Sequence, residues 1–243
     1  MLEGPDLVHA ALDASSEFEA IYVDPAGLSS GDLTELQSRA ASKGVRVFAL
    51  APGVLEHVAD ASTPQPVLAA IRLPLVNVED IVCAGLLLVL HDVKDPGNAG
   101  TLIRSADAAG SSGVIFTGQS VDPFNPKTLR ATAGSIFHIP IAVGQLAETL
   151  ALFSERGATT FASVVRGGVS HRIVDFSKPT VVVIGNEAVG LEDDAVALCS
   201  GTVTIQMAGA NESLNAGVAG SLIAFEAMWR RQDTMTPPPT PSL

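Results

Sequence analysis

Apolar and polar positions along this chain change period repeatedly, and the changes divide it into short strands and amphipathic helices. In the first part the pattern predicts helices over 6–14, 30–43 and 52–59 and strands over 18–23, 45–50 and 67–71. Capping residues open the helix at 30 and Gly44 closes it, as the backbone at helix ends requires. From residue 86 the strands become almost wholly apolar, at 86–90, 113–117, 139–143, 159–164, 180–184 and 202–206. Helical stretches separate them at 98–109, 126–134, 145–156, 192–199 and 213–232. Apolar strands alternating with helices predict a parallel sheet covered on both faces.

Two α/β units follow from this reading: residues 1–72 and a larger unit over 86–232. Residues 73–85 contain Pro74 and show no period, so they read as a linker. Residues 233–243, rich in proline, read as a disordered tail.

Polar turns at the ends of the apolar strands carry the candidate chemistry. Asp95-Pro96-Gly97-Asn98-Ala99-Gly100 leads into a helix bearing Arg104, with Asn98 as its expected cap. Ile184-Gly185-Asn186-Glu187 follows a β-branched strand, and Asn211 through Gly217 opens the last helix. Ligands of parallel sheets sit beyond the carboxyl ends of the strands, and helix starts present free N–H groups. One composite site is therefore expected. Taken singly, each turn reads either as a cap or solvated loop or as part of a ligand site. Lys127 and Arg130 read either as solvated bases on an amphipathic helix or as part of a local basic site with Arg104.

Composition narrows the function. The 243 residues are 47% hydrophobic, with no apolar run of membrane-spanning length, and a net charge of −12 argues against wholesale wrapping of nucleic acid. Two cysteines and five histidines lack ligand spacing, so no metal and a reducing cytoplasm are expected. His91-Asp92 suggests an acid–base pair, but neighbours on a strand point apart. Neither a dinucleotide-binding glycine fingerprint nor a phosphate loop is present, which disfavours a dehydrogenase.

Three ordered motifs, at 95–106, 183–191 and 205–219, resemble the SpoU/TrmH family of RNA ribose 2′-O-methyltransferases in the SPOUT superfamily. Residues 1–72 are similar, more loosely, to the substrate-binding domain that many members carry, through Leu2-Glu3-Gly4-Pro5 and Ser62-Thr63-Pro64-Gln65. The resemblance implies a trefoil-knotted second domain, a homodimer, S-adenosylmethionine as methyl donor and structured RNA as substrate, either ribosomal or transfer RNA, with ribosomal RNA favoured. It implies Arg104 as the catalytic arginine, with Asn98, Glu187, Ser213 and Asn215 as the other motif residues. Cofactor contacts would come from Ile184, Gly185, Ile205, Met207 and Leu214, with Thr132, Gly134 and Ser135 lining the same pocket. Ala216-Gly217 stands where a bulkier pair is expected, a change predicted to loosen the helix start. An RNA-binding assembly factor or antibiotic-resistance protein of the same fold, with methylation secondary or absent, is the competing expectation.

Overall fold

A computed structural model describes residues 1–59, 63–209 and 213–235. The first unit runs β1 (Leu2–Glu3), α1 (Pro5–Asp13), β2 (Phe18–Val23), α2 (Ser30–Ser42), β3 (Val47–Ala49), α3 (Leu55–Val58) and β4 (Val67–Ile71). Its four strands form a sheet of order β1-β4-β2-β3, in which β4 is antiparallel to both neighbours and β2 and β3 are parallel. Local chemistry explains the helix starts. Pro5 occupies the first turn of α1, where its missing N–H costs nothing, and Ser29 Oγ accepts from the Asp32 amide to cap α2.

The second unit runs β5 (Leu86–His91), α4 (Pro96–Ala108), β6 (Gly113–Thr117), α5 (Pro126–Thr132), β7 (Ile141–Gly144), α6 (Leu146–Glu155), β8 (Thr159–Ser163), β9 (Val169–Ser170), β10 (Thr180–Ile184), α7 (Asp193–Ala197), β11 (Gly201–Thr204) and α8 (Ala216–Met235). Its seven strands are all parallel, in the order β7-β6-β5-β10-β8-β11-β9. The short strands β1 and β9 escape the periodicity reading, since two residues show no period. The last helix, expected to end at 232, continues to Met235. The remainder of the expected tail lies outside the described residues.

Strand alternation sorts the core into two layers. Leu86, Leu88, Leu90, Val182 and Ile184 face α4, α5 and α8, and share a cluster with Leu102, Ile103, Leu129, Ile223 and Ala227. Leu87, Val89, Val181 and Val183 face the other way, onto Leu146, Leu150 and Phe153 of α6 and Ala195 of α7. Burial on both faces is why these strands carry almost no polar residue.

The first cluster continues into the N-terminal unit through Leu7, Val8, Ala11 and Leu12 of α1, so the two units share one core. Residues 73–85 are docked rather than free. The Val76 amide donates to the Ile141 carbonyl at 3.0 Å, and Val78 and Ile81 are buried against the α6 side.

Helices α4 and α5 cross where Gly100 removes a side chain. A Cβ there would lie 2.4 Å from Ala131 Cβ and 2.9 Å from the Thr128 carbonyl oxygen. Backbone cannot yield as a side-chain tip does, so Gly100→Ala is expected to destabilise the fold by about 1–3 kcal/mol through overpacking. Urea denaturation checks this, and an unchanged midpoint would mean that α4 and α5 separate freely.

Candidate active site

Because all seven strands of the second sheet are parallel, their carboxyl ends meet along one edge of it. Four of them, β5, β10, β8 and β11, are consecutive neighbours. Chain direction reverses beside β5: β6 and β7 extend one way, and every later strand lies on the other side. Loops at such a reversal diverge and leave a crevice.

The crevice is a pocket of about 320 Å³ over the ends of β10, β8 and β11. Ile184 at the end of β10 lines it, with Gly185 and Glu187 from the loop that follows. Ile205 and Met207 contribute from the segment after β11, and Ser213 and Leu214 from the turn before α8. Residues 210–212, between these last two groups, lie outside the described residues. Ser163, Val164 and Val165 at the end of β8 form a further wall, together with Ala216 and Ala219 of α8. Sequence reasoning missed the β8 contribution. The strand itself was legible, but its position between β10 and β11 was not, and no glycine or acid marks its end.

The loop after β10 is tightly built. Asn186 and Gly190 exchange backbone hydrogen bonds at 3.0 and 2.9 Å, and Asn186 Oδ1 accepts from the Ala188 amide at 2.8 Å. Gly190 takes φ 76°, a backbone that favours glycine. At Gly185 a Cβ would fall 2.6 Å from the Gly190 carbonyl carbon, so only glycine lets the loop close here. Asn186 Nδ2 also donates to the Asp92 carbonyl at 2.9 Å, tying this loop to the one after β5.

Glu187 makes the second tie. Its carboxylate accepts from the Lys94 amide at 3.3 Å, the Asp95 amide at 3.2 Å and Asn98 Nδ2 at 3.1 Å. Partial burial by itself raises its pKa, but hydrogen bonds from Asn98 and from backbone amides outweigh this and hold the carboxyl below its usual range. The cap of α4 differs from expectation: Asp95 accepts from the Asn98 amide, which places Asn98 inside the first turn, free to reach Glu187. Asn98 is buried, at 8% exposure.

Helix α8 starts against the same cluster. Asn215 Oδ1 accepts from the Val218 amide at 3.2 Å and caps it. A Cβ on Gly217 would lie 3.1 Å from Asn215 Oδ1 and 3.2 Å from Asn98 Oδ1. The small pair at 216–217 therefore draws α8 close to α4 instead of loosening its start.

Not every expected residue reaches the pocket. Arg104 is exposed on α4 and makes no side-chain hydrogen bond or ion pair with a described residue. Its neighbour Ser105 joins α4 to α8, its hydroxyl 2.7 Å from that of Ser221, and because successive helix residues point about 100° apart, Arg104 projects away from that contact. Thr132, Gly134 and Ser135 do not line the pocket of this chain. Thr132 is buried in α5 with its hydroxyl on the Leu129 carbonyl, and Gly134 abuts α1, where a Cβ would lie 2.6 Å from Ala10. Ser135 opens a 3-10 turn on the same side. The pull is tertiary, because α5 closes the seam between the two units.

His91 and Asp92 also depart from expectation. The strand ends at His91, and Asp92 takes φ 58°, which swings its carboxylate to 3.5 Å from His91 Nε2. Thr117 Oγ1 lies 3.0 Å from His91 Nδ1, and Asp92 Oδ1 accepts from the Gln119 amide at 2.5 Å, so the pair braces the β5 and β6 turns. Neither cysteine lines the pocket. Burial raises both thiol pKa values, Cys199 to about 11, so neither supplies a thiolate near neutral pH.

A volume near 320 Å³ falls at the small end of the roughly 300–1,000 Å³ range of cofactor sites. The walls divide by chemistry. Ile184, Ile205, Leu214 and Val165 offer apolar surface for a flat ring, while Ser163, Asn186, Glu187 and Ser213 offer polar groups. An amphipathic, zwitterionic nucleoside derivative suits that division.

Known proteins share both units. Residues 85–225 match the family model described as the SpoU rRNA Methylase family, and residues 1–74 match the one described as RNA 2′-O ribose methyltransferase substrate binding. A 23S rRNA (uridine(2479)-2′-O)-methyltransferase of Streptomyces viridochromogenes is 36% identical over 193 residues, 76% of this chain and 67% of that one. The 23S rRNA (guanosine(2553)-2′-O)-methyltransferase RlmP of Bacillus subtilis is 28% identical over 93% of this chain and 86% of its own.

Among solved structures, the SpoU methyltransferase AviRb from Streptomyces viridochromogenes in complex with the cofactor AdoMet superposes with a TM-score of 0.85, at 28% identity and 95% and 89% coverage. The AdoMet-bound rRNA methyltransferase from Sinorhizobium meliloti gives 0.80, at 32% identity and 93% and 85% coverage. With two family models matched in order and the fold shared over nearly its whole length, this chain belongs to the SpoU rRNA methylase family.

Proposed function

We propose that this chain methylates the 2′-hydroxyl of a ribose in ribosomal RNA, using S-adenosylmethionine. The observation that carries the reading is the single pocket to which Gly185, Met207 and Leu214 all contribute, from loops far apart in sequence. Similar proteins named as 23S rRNA 2′-O-methyltransferases, and similar structures that hold AdoMet, support it. Ile184, Gly185, Ile205, Met207 and Leu214 are the residues that would hold the cofactor. When bound, it supplies an electrophilic methyl group.

The remaining chemistry falls to the chain's own side chains. A ribose hydroxyl is a poor nucleophile, and it must be oriented and relieved of its proton. A guanidinium is a very weak base. Arg104 accordingly holds the RNA phosphate and stabilises negative charge developing on the attacking oxygen. That its side chain lacks a partner among the described residues is consistent with this. Ser213 and Asn215 orient the hydroxyl, and Glu187 acts as a positioning residue by holding the Asn98 end of α4 to the pocket loop.

The knot and the homodimer are the finer parts of the proposal. For a knot, the support is the place of β10 between β5 and β8, with its following loop tied to the one after β5. For a dimer it is a stripe on α8: Val218, Leu222 and Trp229 are 47%, 42% and 52% exposed, with the Phe225 and Trp229 rings 6.0 Å apart. Spaced near four and seven residues, these side chains share one helix face. No described helix is long and apolar enough to cross a membrane, and a protein acting on ribosomal RNA belongs in the cytoplasm.

Mapping 2′-O-methylation in ribosomal RNA from a strain lacking the gene tests the function. One site should disappear, return with the wild-type chain, and stay absent with Arg104→Ala. In vitro, Arg104→Ala is expected to lower turnover by at least about 10²-fold, with calorimetric affinity for S-adenosylmethionine within a few-fold. Normal turnover would remove Arg104 from the mechanism, and no cofactor binding by wild type would favour a non-enzymatic RNA-binding role.

Glu187→Gln should weaken cofactor binding about ten-fold by loosening the loop. The Glu187 pKa is depressed on folding, so its contribution is complete above the unfolded value of about 4.3 and is lost only as pH falls through the lower folded value. Cofactor affinity should accordingly show no Glu187-dependent change between about pH 6 and 9, which titration calorimetry of wild type and variant will reveal. Trp229→Asp should convert a dimer to monomers by light scattering, and an unchanged mass would exclude α8 as the interface.

A further inference from the structure

The N-terminal unit carries a group of side chains that the methylation chemistry does not use. Tyr22 of β2 and Phe48 of β3 are register partners, and their rings stack with centroids 5.8 Å apart and planes inclined by 26°. The Arg46 guanidinium lies over the Phe48 ring, 5.5 Å from its centroid. Strand β3 is the edge of its sheet, and Phe48 is 43% exposed. The trio lies on the face opposite α1 and α2, because Ile21, Val23 and Val47 point into the core between them.

Charge sharpens the question of what such a trio does. Residues 1–72 hold ten acidic side chains against four basic ones. Arg39 is paired with Asp13 and Glu35, Arg72 is paired with Glu17, and Lys43 bonds the Ser15 hydroxyl. Among the described residues Arg46 alone of the four has neither a side-chain hydrogen bond nor an ion pair, and it rests on an aromatic ring. An acidic unit gains little from the general attraction that draws basic proteins to phosphate. Contact with RNA must come from terms that survive net repulsion. Stacking of an unpaired base on an aromatic ring or guanidinium plane is such a term, and it is tolerant of base identity.

We infer that Tyr22, Phe48 and Arg46 form a stacking platform for an unpaired base of the RNA substrate. The base stacks on Phe48, with the guanidinium shifting to the adjacent phosphate, or on the guanidinium itself. The open edge of β3 admits a single strand or loop and offers nothing to the shielded bases of a duplex. The platform thereby selects for an unpaired segment of the RNA. This inference rests on the reading that the chain acts on RNA.

The test uses the full chain with a fluorescein-labelled single-stranded oligoribonucleotide of mixed sequence and the same sequence as a perfect duplex, read by anisotropy. Wild type should bind the single strand more tightly than the duplex. Phe48→Ala should weaken single-strand binding about ten-fold, and Arg46→Gln should weaken it less. Phe48→Trp should restore it, with S-adenosylmethionine affinity and melting temperature unchanged throughout. With ribosomal RNA from the deletion strain, Phe48→Ala should raise KM and leave kcat.

A Phe48→Ala chain that binds the single strand as wild type does, or a wild type that binds duplex equally well or binds neither probe, overturns the platform. Wild-type methyl transfer to the deletion-strain RNA tests the enzymatic reading separately. Loss of the Phe48 effect with transfer intact condemns the platform alone.

Discussion

Three hydrogen bonds to one carboxylate hold the candidate site together. Glu187, at the end of β10, receives the Lys94 and Asp95 amides and the Asn98 amide group from the loop and helix that follow β5. Two strands that are neighbours in the sheet are thereby joined again beyond it, which ties the pocket loop to the helix carrying Arg104. The amides at the start of α4 lack partners within the helix, and a carboxylate is the group best suited to them. The same bond places Asn98 where α8 can pass, and the absence of a side chain at Gly217 lets it pass closely.

That arrangement separates binding from chemistry. The pocket lies over β10, β8 and β11 and is lined by apolar side chains on one part and by Ser163, Asn186, Glu187 and Ser213 on the other. Arg104 is exposed on α4 and stands outside it. The chain therefore presents a cofactor-sized cleft and, apart from it, an exposed guanidinium. Acidic side chains dominate the chain, so affinity for an RNA must come from few, well-aimed contacts instead of a broad basic face.

The shared core between the units has a mechanical consequence. Helix α1 packs into the same cluster as α4 and α5, and Gly134 abuts Ala10. A segment that resembled part of the cofactor pocket is thus occupied, within one chain, in fastening the N-terminal unit. Residues 73–85, lacking any period, are likewise held along β7 by backbone bonding and two buried side chains.

Most elements were legible from the order of residues because the second sheet is buried on both faces. A strand such as 180–184 has to be continuously apolar, and a helix such as 146–155 has to be amphipathic, so each announces itself by period. Motif residues around 98, 187 and 215 were legible for a related reason: turns at strand ends need glycine, asparagine and acids at fixed offsets. Strand order was not legible, since period says nothing about which strand neighbours which. For that reason the wall from Ser163 to Val165 went unseen, and the packing that keeps Thr132, Gly134 and Ser135 away from this chain's pocket was equally hidden. The left-handed turn at Asp92 was equally hidden, because strand alternation assumes that the strand continues. Sequence by itself determined the elements and their chemistry. Tertiary structure alone decided which loops meet, because adjacency depends on packing between segments that period and propensity describe one at a time.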